Sequence, residues 1–517
     1  MASPIHHVFD PITHWTSQDP ARLAVRFENQ SWTWQQLSDR VHSNAAVQSA
    51  LGLAAGGRVA FLDKNHPACL ETTLACALVG TVNSVVNFRL APSELVYVLN
   101  DSQAELVFVG AEFVETFELI KPELLHVRKT VVVGGDADEY EAWLQNAPDG
   151  ATAHTVSSDD CFLQLYTSGT TGYPKGAMLT HRSLGAHSIA ASAAFGFERD
   201  SVNMVAMPLF HVGGTSWALA AMSQGAETIV VGDVVPDVVL EQIARQSVTH
   251  AFFVPAVIRF FLQVPGVSEL DLGSLRCLGY GGSPMPDALL RTAMKAFDVD
   301  FYQVYGMTEA SGVFCVLAAE DHRDAAHPER LRAAGRPIDG VEVRVVDPVT
   351  GEELPVGEVG EFQIRGPQVM AGYWQREAET TANFVGEWFR TGDAGRQDVD
   401  GYFYVEDRVK DVIISGGENV YPAEVERVIS EFPDIAEVAV IGVPDDKWGE
   451  VVQAVVVPVD GTVCDKDKLL EFCAGQLAGY KRPRIIEIAA ALPRNATGKI
   501  LKRDLRAPYW VGRSRPL

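Results

Sequence analysis

Residues 161–176, CFLQLYTSGTTGYPKG, place four hydroxyl side chains, three glycines and a lysine behind a short apolar run. That composition suits a loop that wraps phosphate oxygens. Gly169 and Gly172 permit close backbone approach, and successive N–H groups can form an anion-binding nest. Thr167, Ser168, Thr170 and Thr171 add hydroxyl donors and Lys175 adds charge. The loop is not of the Walker A type, which needs Gly-Lys-Ser/Thr leading straight into a helix. Here GAMLTH after Lys175 predicts a second strand, with a helix beginning near Arg182. An ordinary turn accounts for four or five such residues, but not for the order YTSGTTGYPKG.

Further motifs follow: MPLFH (207–211), GYGGSPMP (279–286), YQVYGMTEA (302–310), WFRTGD (388–393), DRVKDVIISGGENVYPAEVE (407–426) and PRNATGKI (493–500). In this order, with the loop above, they resemble the adenylate-forming (AMP-binding) superfamily, of the acyl-CoA synthetase or fatty-acid–CoA ligase type. The resemblance spans nearly the whole chain. It implies attack of a carboxylate on the α-phosphorus of Mg·ATP, giving acyl-AMP and pyrophosphate, then thioester formation with coenzyme A. A carboxylic acid with a pKa near ~4 is already ionised at neutral pH, so no general base is needed. The site must instead position two anions and absorb charge growing on phosphoryl oxygens, which calls for cations and fixed dipoles.

Residue by residue, Glu309 matches the family's Mg²⁺ carboxylate, with Thr167 a weaker second partner, and Thr308 should hydrogen-bond the α-phosphate. Tyr305, with Gly306 beside it, resembles the residue on which adenine stacks; Gly281, Gly282 and Ser283 form the opposite wall, and Gln303 is a candidate for the base edge. Asp393 fits the ribose acceptor, as an acidic residue does in dinucleotide folds, and Arg408 should donate to the same hydroxyls. Lys499 matches the lysine brought to the α-phosphate and the substrate carboxylate. Lys410 matches a hinge about which the C-terminal domain rotates after adenylation, presenting Gly416, Gly417 and Glu418 to the path of CoA. His211 resembles a residue at the mouth of the acyl pocket. Trp217, Val254, Tyr280 and Ala310 are candidates for its lining, and core packing accounts for each equally well. The apolar run SGVFCVLA and the lack of an acidic anchor for a substrate amine lean toward a fatty or other hydrophobic acid.

To position these residues, short β-branched runs (RVAFLD, ELVFVG, TVVVGG, TIVVG, AFFVP, LRCLGYGG) alternate with helical patterns from about 22 to 335. That alternation implies an α/β domain of doubly wound parallel sheets. Closely spaced strands and turns predict a small antiparallel β subdomain at about 340–405. The expected domains are 1–409, for AMP binding, and 410–517, a small mobile α+β lid with its hinge at Lys410.

The 517 residues are 47% hydrophobic and 21% charged, with a formal net charge of −25. Such a surplus of carboxylates argues against nucleic acid as a partner. The N-terminus lacks a signal-peptide pattern, and no stretch approaches the ~20 apolar residues that span a bilayer, so a cytoplasmic protein is expected. Seven cysteines, including Cys69, Cys76, Cys161 and Cys277, read as core rather than chemistry. The expected partners are a small-molecule carboxylic acid, ATP and CoA, with peripheral membrane contact and a homodimer left open. An aryl-acid CoA ligase, an acyl-AMP ligase loading a carrier protein, an amino-acid adenylation domain, a luciferase and a non-catalytic nucleotide or acyl sensor are the alternatives. The compact spacing from Glu309 to Lys410 leaves no room for the insertion that acyl-AMP ligases carry. Intact Lys175, Glu309, Asp393, Arg408 and Lys499 speak against a sensor.

Overall fold

The computed structural model describes residues 7–148, 156–167, 173–416, 418–494 and 500–511. The chain groups into two compact units, one of Met1–Val343 with Ile364–Phe389, the other of Arg344–Gln363 with Arg390–Leu517.

The larger unit holds two parallel-rich sheets, as the alternating pattern predicts. In the first, Cys161–Thr167, Val82–Val86, Arg58–Leu62, Ala104–Gly110 and Lys129–Val133 lie side by side and parallel. Lys175–Thr180 and Gly372–Tyr373 extend this sheet antiparallel at one edge. The second runs through Phe301–Met307, Cys277–Gly281, His250–Phe253, Val202–Val205, Glu227–Val230 and Leu23–Phe27, again parallel, with antiparallel strands at both edges. These central strands are buried on both faces, which is why they read as continuous apolar runs instead of alternating ones. Behind the second sheet lies a core containing Met204, Ile229, Ile243, Phe253, Phe261, Leu278 and Phe301.

Local chemistry sets the element ends. Thr180 closes the strand after Lys175 and caps the helix His181–Phe195, its hydroxyl accepting from the Ser183 N–H at 3.0 Å. The two strands predicted on either side of residues 168–172, and the helix after the second, are therefore what forms.

In the second unit, Ile435–Asp445 and Gly449–Pro458 make a long antiparallel pair, joined by Ile413–Ser415, Glu418–Val420 and Ile485–Ile488. Helices Pro422–Ser430 and Lys466–Gln476 cover it through Val425, Val428, Leu469 and Cys473. The same unit pairs residues 393–397 with Phe403–Arg408, antiparallel. Six of the seven cysteines are buried and Cys161 is half-buried, and burial pushes the Cys76 and Cys161 thiols up to about 12. Among the described residues no helix is long and apolar enough to cross a membrane.

Candidate active site

In the larger unit the motif residues gather at the carboxyl ends of parallel strands, where open α/β sheets bind ligands. Thr167 ends Cys161–Thr167, Gly281 ends Cys277–Gly281, Val254 follows His250–Phe253, and Thr308 and Glu309 follow Phe301–Met307. The hairpin register sets Thr167 directly opposite Lys175. Ser168, Gly169, Thr170, Thr171 and Gly172, which connect them, lie outside the described residues.

Glu309 is 7% exposed and is held from three sides. The Tyr373 hydroxyl donates to its Oε1 at 2.8 Å, Thr167 Oγ1 approaches the same oxygen at 3.4 Å, and the Met370 N–H donates to its carbonyl at 2.8 Å. Gln368, fully buried, ties down the following turn by donating to the carbonyls of Ala310 (2.9 Å) and Val313 (2.8 Å). Sequence reasoning did not find Tyr373 or Gln368. They lie about sixty residues beyond Glu309, and their relevance rests on Gly372–Tyr373 pairing with Ala177–Met178, next to Lys175.

Among the described residues there is no group of three His, Cys, Asp or Glu side chains able to hold a metal. Mg²⁺ does not require one, since it takes one or two carboxylates and completes its shell with substrate phosphates and water. The preoriented Glu309 carboxyl group with the Thr167 hydroxyl beside it fits that ion.

The adenosine candidates sit on adjacent strands. Tyr305 is half-buried, its ring 4.6 Å from that of Phe314, and Gly306 beside it is exposed. Gly282 and Ser283 are exposed and Gly281 is buried. The Tyr280 hydroxyl donates to Gln303 Oε1 at 3.2 Å and meets His322 Nε2 at 2.9 Å, which orients the Gln303 amide. A Cβ at Gly281 would lie 2.2 Å from the Val304 carbonyl oxygen, so this strand end admits no side chain. Gly281→Ala is expected to cost about 1–3 kcal/mol, read as a lowered Tm, whereas Ser283→Ala on the exposed wall should leave Tm unchanged.

Among the acyl-pocket candidates, Trp217 is 5% exposed and packs its ring against Phe195, Phe197 and Phe252. Tyr280 and Ala310 are fully buried and Val254 is half-buried. His211, its ring tilted against that of Phe210 at 4.4 Å, has its pKa pushed down to about 4 by burial and by the Arg89 charge. It is therefore neutral at physiological pH, not a cation. His211→Gln is expected to leave the shape of the pH–rate profile unchanged between about pH 5.5 and 8. Loss of an ionisation near 6.5 in that variant would contradict the neutral assignment.

In the second unit, Asp393 stands directly opposite Arg408 on paired strands. Arg408 Nε lies 2.8 Å from Asp393 Oδ1, and its Nη1 donates to the Thr391 carbonyl at 3.3 Å. A carboxylate braced by a guanidinium is held in place, as a bidentate ribose acceptor requires. Lys410 is exposed. Gly416 has φ +65°, its N–H donates to the Trp448 carbonyl at 2.8 Å, and a Cβ there would strike the Trp448 ring, so glycine is required. Glu418 is exposed at the start of the returning strand. Gly417 and Lys499 lie outside the described residues.

A family profile described as AMP-binding enzyme matches residues 12–374, and one described as AMP-binding enzyme C-terminal domain matches 424–499. Feruloyl-CoA synthase of Amycolatopsis sp. is 41% identical over 495 residues, covering 95% of this chain and 96% of its own. Fatty acid--[acyl-carrier-protein] ligase ScoC of Streptomyces coeruleorubidus is 37% identical over 500 residues, covering 95% and 94%. The crystal structure of ATP-bound MatB from Rhodopseudomonas palustris superposes with a TM-score of 0.88 at 31% identity, covering 97% of this chain and 99% of that one. With profiles and relatives that span nearly its full length, the chain belongs to the AMP-binding enzyme family of adenylate-forming ligases.

Proposed function

We propose that the protein is an ATP-dependent acid–CoA ligase that activates a hydrophobic carboxylic acid, fatty or lipid-derived, as its acyl-adenylate and transfers the acyl group to CoA. The observation that carries this reading is the strand-end cluster in which Thr167 and Tyr373 converge on Glu309 while Lys175 stands opposite Thr167.

The substrate carboxylate oxygen attacks the α-phosphorus, the bond to the β-phosphate oxygen breaks, and pyrophosphate leaves. Lys175 receives phosphate charge, Thr308 donates to the α-phosphate, and Tyr305 with the Gly281–Ser283 wall holds adenine. Asp393 and Arg408 take the ribose hydroxyls, and Lys499 bridges the two reacting anions. Glu309 and Thr167 would hold Mg²⁺, which would supply charge neutralisation on the phosphates. In the second half-reaction the CoA thiol attacks the acyl carbonyl, AMP departs, and the thiol proton passes to solvent. We assign the path of CoA to Gly416–Glu418 and the hinge to Lys410.

The apolar strand Gly312–Leu317 beyond Glu309 supports a hydrophobic acid. A second reading, an aromatic or oxygenated acid, is favoured by two buried groups. Among the described residues Trp217 Nε1 and His187 Nδ1 have no hydrogen-bond partner, while His187 Nε2 accepts from the Val313 N–H at 3.1 Å. Buried donors left unpaired are costly, and an acyl oxygen would relieve them.

The test is incubation with Mg·ATP, CoA and a panel of fatty, hydroxycinnamic, other aryl and amino acids, with pyrophosphate and thioester mass measured together. Fatty substrates giving both signals support the main reading, and preference for hydroxycinnamic acids supports the second. Pyrophosphate without thioester would move the acceptor from CoA to a carrier protein.

A further inference from the structure

Lys175 is 9% exposed, and an ammonium at that depth needs an anionic partner. Its partner is Glu379, from the short helix Glu377–Ala382, whose carboxylate pairs directly with the Lys175 Nζ. The Tyr373 ring lies beneath the same ammonium, its centroid 5.4 Å from Nζ. One segment thus serves both charged groups of the phosphate site. Tyr373 binds Glu309, and six residues later Glu379 binds Lys175. The segment is itself tied down, with the Tyr373 N–H donating to the Thr380 hydroxyl at 2.9 Å and the Trp374 N–H to the Gly176 carbonyl at 2.8 Å.

We propose that Glu379 is a positioning residue for the ATP step, a resident anion that competes with the substrate's phosphates for Lys175. Resting on the assignment of Lys175 to the phosphates, the inference follows from charge. The carboxylate neutralises Lys175 before ATP arrives, repels the incoming phosphates, and reclaims the ammonium as pyrophosphate leaves. Glu379 accordingly holds the affinity for ATP and pyrophosphate below what Lys175 alone would give, and it favours product release.

The test is calorimetric titration of the whole protein with Mg·ATP and, separately, with Mg·pyrophosphate, at low and high salt and without any acid substrate. Glu379→Gln keeps the shape and removes the charge; it is expected to tighten both ligands roughly tenfold, with a smaller gain at high salt. Glu379→Asp should keep the parent affinities. In steady state Glu379→Gln should lower the KM for ATP and lower kcat through slower pyrophosphate release. With Lys175→Ala as background, Glu379→Gln should lose most of its effect. Unchanged or weaker binding in Glu379→Gln, with Lys175→Ala still weakening ATP, would overturn the proposal and leave the phosphate assignment standing. Intact ATP binding in Lys175→Ala would overturn both.

Discussion

Lys499→Ala is expected to slow acyl-AMP formation by ~10²–10³-fold, the usual cost of removing one electrostatic donor aimed at charge that develops in the transition state. Binding of Mg·ATP should change little, because Lys175, Tyr305 and Asp393 are assigned to phosphates, base and ribose independently of it. The second half-reaction should survive, since the resemblance withdraws Lys499 before CoA arrives. Pyrophosphate release, an ATP binding isotherm, and thioester formation from synthetic acyl-AMP therefore separate the roles. Equal loss in both half-reactions would show that Lys499 is not specific to adenylation.

Glu309→Gln is expected to lower kcat/KM by ~10²-fold or more and to raise the Mg²⁺ concentration needed for half-maximal rate, because the amide gives the ion no negative charge. The substitution preserves the carbonyl oxygen that can accept from Tyr373 and Thr167, so the site should keep its shape. Thermal unfolding close to that of the parent would confirm that the loss is electrostatic. A rate whose Mg²⁺ dependence is untouched would remove Glu309 from the metal.

Much of this arrangement was legible in the chain. Buried parallel strands announce themselves as β-branched runs, and the phosphate loop as hydroxyl and glycine residues between two of them, because each depends on neighbours in sequence. The outcome on either side of residues 168–172 follows from such local signals: the strand Cys161–Thr167, the strand Lys175–Thr180, then a Thr-capped helix. Asp393 and Arg408 were named only through resemblance, each as a ribose contact, and their pairing with each other came from the strand register. That register depends on an irregularity between Ala394 and Gly395, and a one-residue slip would turn Asp393 to the other face.

Tyr373, Gln368 and Glu379 were not legible at all. Their run, GPQVMAGYWQREAETT, has neither a charge pattern nor a spacing that points to a phosphate site. They reach it only because Gly372–Tyr373 adds to the sheet edge beside Ala177–Met178, a contact between residues nearly two hundred positions apart. Likewise the depressed pKa of His211 comes from burial and from Arg89, over a hundred residues earlier, not from its flanking residues.

The sequence by itself determined the strand and helix order, the family, and the side chains proposed to meet ATP, since backbone propensity, apolar periodicity and motif order are carried by consecutive residues. Only the tertiary structure decided which groups orient and neutralise those side chains, because ion pairs and hydrogen bonds act over a few ångströms of space, whatever the separation along the chain.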